Sequence, residues 1–168
     1  MSNLIIVYIG GGRKLEFFEP FLEPFYLAAN NVFKDMFQKD IKPGIIQYHE
    51  NFIATREANI NITIIGDLAG SVIYSFSKEL AFNITSIILG MDFKELNYFV
   101  ASAVAEISNI ISGNTMTYLS EQDCHCQIGT PQIFIGTDTR IVTKNSIFTI
   151  PIKTILGNFE INVSLESR

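Results

Sequence analysis

Two runs rich in β-branched residues, 59–66 and 69–77, are separated by Gly66-Asp67-Leu68-Ala69-Gly70. Asp and Gly between such runs predict a hairpin, because these residues reach the backbone conformations a tight reversal needs. An antiparallel pair in mid-chain is thereby set, and the remaining elements must be arranged around it. Upstream, Leu22, Phe25, Tyr26, Ala29, Val32, Phe33 and Phe37 recur at three- and four-residue spacings, which predicts a helix over 20–37. Pro20 suits a first turn, whereas Pro24 removes a backbone donor; the helix should start near Glu23 or bend there. Pro43-Gly44 ends it, and a β-rich stretch follows at 45–53.

Downstream, residues 78–89 read as a second helix, stopped by Gly90 where left-handed geometry is wanted. Asp92 is the expected cap of a third, longer helix over 93–119. A loop rich in Glu, Gln and Asp then leads to strands at 131–137, 146–154 and 158–166, with Gly157-Asn158 marking the last hairpin. Helix, three strands, two helices, three strands predict an α+β domain of two layers: a mostly antiparallel sheet with helices packed on it. The two halves are loosely alike. At 168 residues, with no long linker or low-complexity segment, one domain is expected over 16–168.

Residues 1–15 are read as a variable extension or a remnant of cloning. The apolar run 4–9 lacks the basic residues before it and the small-residue cleavage site after it that a signal peptide needs. Gly10-Gly11-Gly12-Arg13-Lys14 fits neither phosphate-loop spacing. The net charge of −5 makes nucleic acid and anionic membrane poor partners. With 48% hydrophobic residues the chain is no disordered segment, and no apolar run approaches the roughly 20 residues of a membrane span. A soluble, cytoplasmic protein is expected. Cys124 and Cys126 flank His125, a metal half-site without a second ligand pair, since His49 is the only other His. Reduced cytosolic thiols are the expectation, and neither a metal nor a cofactor of the chain's own. Asn61, Asn83 and Asn162 begin glycosylation triplets that carry no weight in such a compartment.

The chemistry sits on the third helix. Val104, Ile107 and Ile111 fall within about 40° of Val100 around its axis, with Ala103 close by, and predict the buried stripe. Ser102, Glu106, Asn109 and Gly113 align on the opposite side, because spacings of three and four stack neighbours on a helix. Ala101, Ala105, Ser108 and Ser112 are expected to flank them as a low, open shelf. Glu-x-x-Asn alone is a common match and equally describes a solvated helix face. Asn, Ser and Gly are, however, poor choices for a merely solvated mid-helix surface, and the usual charge ladder is missing.

Ser102-x3-Glu106-x2-Asn109, with Pro131 after twenty-one intervening residues, resembles the signature of the CheC/CheX/FliY chemotaxis phosphatases. The likeness to the CheX branch is wider. It takes in Pro20-Phe21-Leu22-Glu23 with Asn31-Val32-Phe33, Gly66-Asp67-Leu68-Ala69-Gly70-Ser71, the stretch 106–113 and Pro131-Gln132-Ile133-Phe134-Ile135-Gly136. It covers about residues 16–165. The resemblance implies hydrolysis of the aspartyl phosphate of a CheY-type response regulator. Asn109 would hold the attacking water, and Glu106 would contact the receiver's lysine. Ser102, Gly113 and Pro131 would be supporting residues, and Mg2+ would belong to the receiver. Relatives with paired sites carry a second Glu-x-x-Asn on the first helix; here Leu27 and Ala28 precede Asn30 and Asn31, so one site per chain is expected. The resemblance also implies a homodimer with the sheet continued between subunits, for which Ile60, Ile62 and Ile64 are taken as a candidate unpaired edge. The alternative is a non-catalytic adaptor that binds a response regulator or flagellar-switch protein with the same shelf.

Overall fold

A computed structural model describes residues 19–136 and 140–167. The expected extension at 1–15 lies outside the described residues. Helix α1, Glu19–Phe37, leads to the short strands β1 (Lys42–Pro43), β2 (Gln47–His49) and β3 (Phe52–Ala54). The hairpin β4 (Ala58–Gly66) and β5 (Leu68–Phe76) follows, then α2 (Lys78–Leu89) and α3 (Tyr98–Ser120). The remaining strands are β6 (Cys126–Ile128), β7 (Gln132–Ile135), β8 (Arg140–Val142), β9 (Ile147–Thr154) and β10 (Gly157–Ser167).

Eight strands form one sheet in the order β1-β9-β10-β5-β4-β6, with β2 also on β9 and β7 also on β4. Every pairing is antiparallel; β3 and β8 form a separate two-stranded sheet. Alternation along the four long strands puts apolar rows in register. Ala58, Phe76, Phe159 and Ile152 make one row, Ile60, Tyr74, Ile161 and Ile150 the next, and Ile62, Val72, Val163 and Phe148 a third. All twelve are buried in the same cluster as the apolar faces of the three helices. The two-layer α+β expectation therefore holds. The face turned away carries buried polar groups. Asn162 satisfies itself there by donating to the Ile73 carbonyl at 3.0 Å and accepting from Thr149 Oγ1 at 2.6 Å.

The central hairpin forms where the punctuation predicts it, and its glycines have a second reason to be there. Gly66 has φ of 143°, and a Cβ on it would stand 2.3 Å from the His125 carbonyl. The chain entering β6 crosses at that point, and only a bare backbone admits it. Helix α2 has the predicted bounds, with Ser77 Oγ accepting from Leu80 N–H and Gly90 left-handed at φ 68°.

Helix α1 begins at Glu19, ahead of the Glu23 alternative, and carries Pro24 inside, buried on the core face. Two other expectations need correction. Helix α3 begins at Tyr98, not 93, with Asn97 as its cap. Phe93 and Leu96 pack against the core and hold the preceding residues outside the helix, so Asp92 caps nothing. Ile60, Ile62 and Ile64 are not an edge. Strand β4 has β5 on one side and β6 with β7 on the other, and the three side chains are fully buried.

Candidate active site

Helix α3 lies on the sheet with α1 and α2 as neighbours and β4, β6 and β7 beneath it. Val100, Val104, Ile107 and Ile111 are fully buried, as their spacing predicts. The buried arc is wider than the apolar residues alone define. Ser108, Ser112 and Thr115 are also inaccessible, and Ala101 nearly so, which overturns the open shelf expected of Ala101, Ser108 and Ser112. Their hydroxyls are satisfied without water. Ser108 Oγ donates to the Val104 carbonyl and Thr115 Oγ1 to that of Ile111, each at 2.8 Å. Ser112 Oγ shares a 2.8 Å hydrogen bond with the Tyr74 hydroxyl from β5. Burial holds the Tyr74 phenol well above its ordinary pKa, so it stays a neutral hydrogen-bonding group.

With one flank anchored, the stripe Ser102, Glu106, Asn109 and Gly113 stays at least partly accessible, as do Asn114 and Thr117. Within the stripe Glu106 is exposed and the other three are half-buried. Among the described residues, neither the Glu106 carboxylate nor the Asn109 amide has a hydrogen-bond or ion-pair partner. Both are polar groups on a helix whose opposite face is buried, and their hydrogen-bonding capacity is unused. Glu106 is the sole Asp, Glu, Lys or Arg in the 23 residues of α3. A Cβ added at Gly113 would meet nothing within 4 Å, so the stripe is bare one turn beyond Asn109.

Pro131 stands apart, in the link Gly129-Thr130-Pro131 that joins β6 to β7. It immediately precedes the strand β7, which packs against α3. On α1, Asn31 Nδ2 donates to the Tyr118 hydroxyl of α3. That amide is occupied in joining two helices, which agrees with the lack of a carboxylate at Leu27 or Ala28.

Cys124 and Cys126 are free thiols with sulfurs 3.9 Å apart. Burial, with help from the neighbouring Cys126, pushes the Cys124 thiol up to about 11. Among the described residues no cluster of three or more His, Cys, Asp or Glu suits a metal ion. His49, on β2, lies at the far edge of the sheet from β6 and completes nothing. Sequence reasoning passed over Tyr98 and Phe99. Both are large and exposed, in the first turn of α3, and an earlier helix start hid them in its second turn.

The family model described as chemotaxis phosphatase CheX matches residues 59–153, which takes in the hairpin, α2, the stripe on α3 and Pro131. The chain belongs to the CheX family. A curated relative, the CheY-P phosphatase CheX of Thermotoga maritima, is 32% identical over 108 residues, 63% of this chain and 70% of that protein. The crystal structure of a CheX from Desulfovibrio desulfuricans superposes with a TM-score of 0.78 at 29% identity, covering 87% of this chain and 99% of that one. The CheX–CheY–BeF3–Mg2+ complex from Borrelia burgdorferi shares the CheX fold, with a TM-score of 0.67 at 21% identity over 88% of this chain and 98% of that one.

Proposed function

We propose that this chain hydrolyses the aspartyl phosphate of a CheY-type response regulator, with Asn109 orienting the attacking water and Glu106 engaging the receiver's lysine. The observation that carries the reading is the pair itself. Within a family of chemotaxis phosphatases, a carboxylate and an amide without partners stand one turn apart on the outer stripe of a well-anchored helix. An acyl phosphate is an activated bond, so its hydrolysis mainly requires a placed water and compensation of phosphoryl charge. In this division of labour the receiver brings Mg2+ and lysine, and the phosphatase brings geometry. The Asn109 amide can accept from the water and direct it toward phosphorus without adding negative charge near an anion. Water attacks phosphorus as the bond to the aspartyl oxygen breaks, which yields inorganic phosphate and the free carboxylate.

A cytoplasmic setting belongs to this reading, since its substrate is a signalling receiver; among the described residues no helix is long and apolar enough to cross a membrane. So does a homodimer, for which the edge at β7 is the better candidate now that β4 is paired on both sides. Ile133, Phe134 and Ile135 on β7 are between 41% and 44% exposed, an apolar edge strand of the kind that seeks a partner.

The test is loss of phosphate from a phosphorylated receiver of the same source, with and without the protein. Asn109→Ala should lose roughly a hundredfold or more in turnover while keeping receiver binding. Glu106→Ala should lose turnover and bind less well. Phosphorylation-dependent binding without acceleration by the wild-type protein would leave an adaptor, not a phosphatase.

A further inference from the structure

Tyr98 and Phe99 are 79% and 60% exposed, and neither belongs to the core cluster. Their rings meet each other edge to face, 6.2 Å between centroids. The turn that carries them is fixed. Val100 N–H donates to Asn97 Oδ1 at 3.1 Å, and Ala101 N–H donates to the Asn97 carbonyl at 2.9 Å. Their place on the helix is what gives them meaning. Tyr98 precedes Ser102 by four residues and Ser102 precedes Glu106 by four, so Tyr98 continues the reactive stripe and Phe99 lies alongside it. The stripe thus rises to an aromatic ridge at one end and falls to bare backbone at Gly113 at the other. Between them stands a single charge, Glu106, on a helix with no other. Such a surface loses little hydration energy when covered, and its one charge is matched by the receiver's lysine.

We infer that Tyr98 and Phe99 are the docking ridge for the receiver, seated on an apolar patch beside its acyl-phosphate pocket while Glu106 meets its lysine. The inference rests on the phosphatase reading and adds what that reading lacks. A single carboxylate–ammonium contact contributes only part of the affinity and chiefly sets register. Buried aromatic anchors supply most of the binding in interfaces of this kind. The helical rise places Tyr98 about 12 Å from Glu106 along the axis, which fixes how far the receiver's apolar patch stands from its lysine. The low surface at Gly113 gives the receiver clearance on the opposite side of Asn109.

The experiment compares wild type, the Tyr98→Ala/Phe99→Ala double variant and Asn109→Ala. Steady-state hydrolysis of the phosphorylated receiver is measured together with binding of the receiver loaded with beryllofluoride. The double variant should raise KM and the dissociation constant about tenfold or more, leave kcat at saturating receiver within about twofold, and leave the melting temperature in place. Tyr98→Leu/Phe99→Leu should recover part of the affinity, since the ridge acts through apolar area. An unchanged KM and dissociation constant in the double alanine variant, with wild type active, overturns the ridge. A wild type that binds but does not turn over overturns the phosphatase reading alone, and the ridge is then decided by the dissociation constants. A wild type that neither binds nor turns over overturns both.

Discussion

In the proposed mechanism Asn109 serves because it is uncharged. Asn109→Asp keeps the size of the side chain but sets a carboxylate where water must approach an anionic phosphoryl group. Its turnover is expected to fall about as far as that of Asn109→Ala, on the order of a hundredfold or more, in the same phosphate-release assay. Gly113 makes the complementary case. No neighbour forbids a Cβ there, and Gly in a helix interior is less favourable than Ala by about 0.5–1 kcal/mol. Gly113→Ala should therefore raise the melting temperature by about 2–4 °C per kcal/mol gained, while weakening receiver turnover. A gain in both stability and activity would mean that nothing approaches the helix at that point. Glu106 and Asn109 were legible in the sequence because spacing alone fixes that they share a helical face. The concealment of Ser108 and Ser112 was not legible. Serine reads as polar, and only the back-bonding of its hydroxyl and the tyrosine on β5 let it be buried.

That tyrosine matters to the element as a whole, since Ser112 and Tyr74 join the helix that carries Glu106 and Asn109 to a central strand. Ser112→Ala leaves the fully buried Tyr74 hydroxyl without its partner and should cost about 1–3 kcal/mol in urea unfolding. Adding Tyr74→Phe should return part of that loss, because the orphaned hydroxyl goes with it. If the single and double variants unfold alike, the bond is not what seats the helix. Helix bounds were read well where caps were local, as at Gly90 on α2. The start of α3 was misread because Asp92 has the chemistry of a cap. What decided the start was tertiary: Phe93 and Leu96 gain more by packing on the core than by entering a helix. The short strands β1, β6 and β8 left no periodic signal, each being three residues or fewer.

For the whole molecule, the layer architecture could be derived from the sequence and the order of strands could not. Period-2 alternation says which face of β4 is buried, and Ile60, Ile62 and Ile64 obey it. It says nothing about which later strand will arrive beside them, and so β6 and β7 displaced the expected edge. With β7 as the edge, Phe134→Lys should shift the protein from dimer to monomer in size-exclusion chromatography with light scattering, with the melting of the monomer little changed. A dimer that persists would move the interface elsewhere.

Strand β10 comes after every other element described, yet it sits in the middle of the large sheet between β5 and β9. Nine of its residues pair with β5 and seven with β9. During synthesis, therefore, the helices and nine strands leave the ribosome before the piece that joins the two halves of the sheet exists. Until residue 167 is clear of the exit tunnel, the nascent chain carries two unpaired strand edges and half-covered apolar rows, the sort of surface that chaperones hold. Closure is long-range and late, and a ribosome stalled before residue 157 would present the helix that carries Glu106 and Asn109 on a domain that cannot yet fold beneath it.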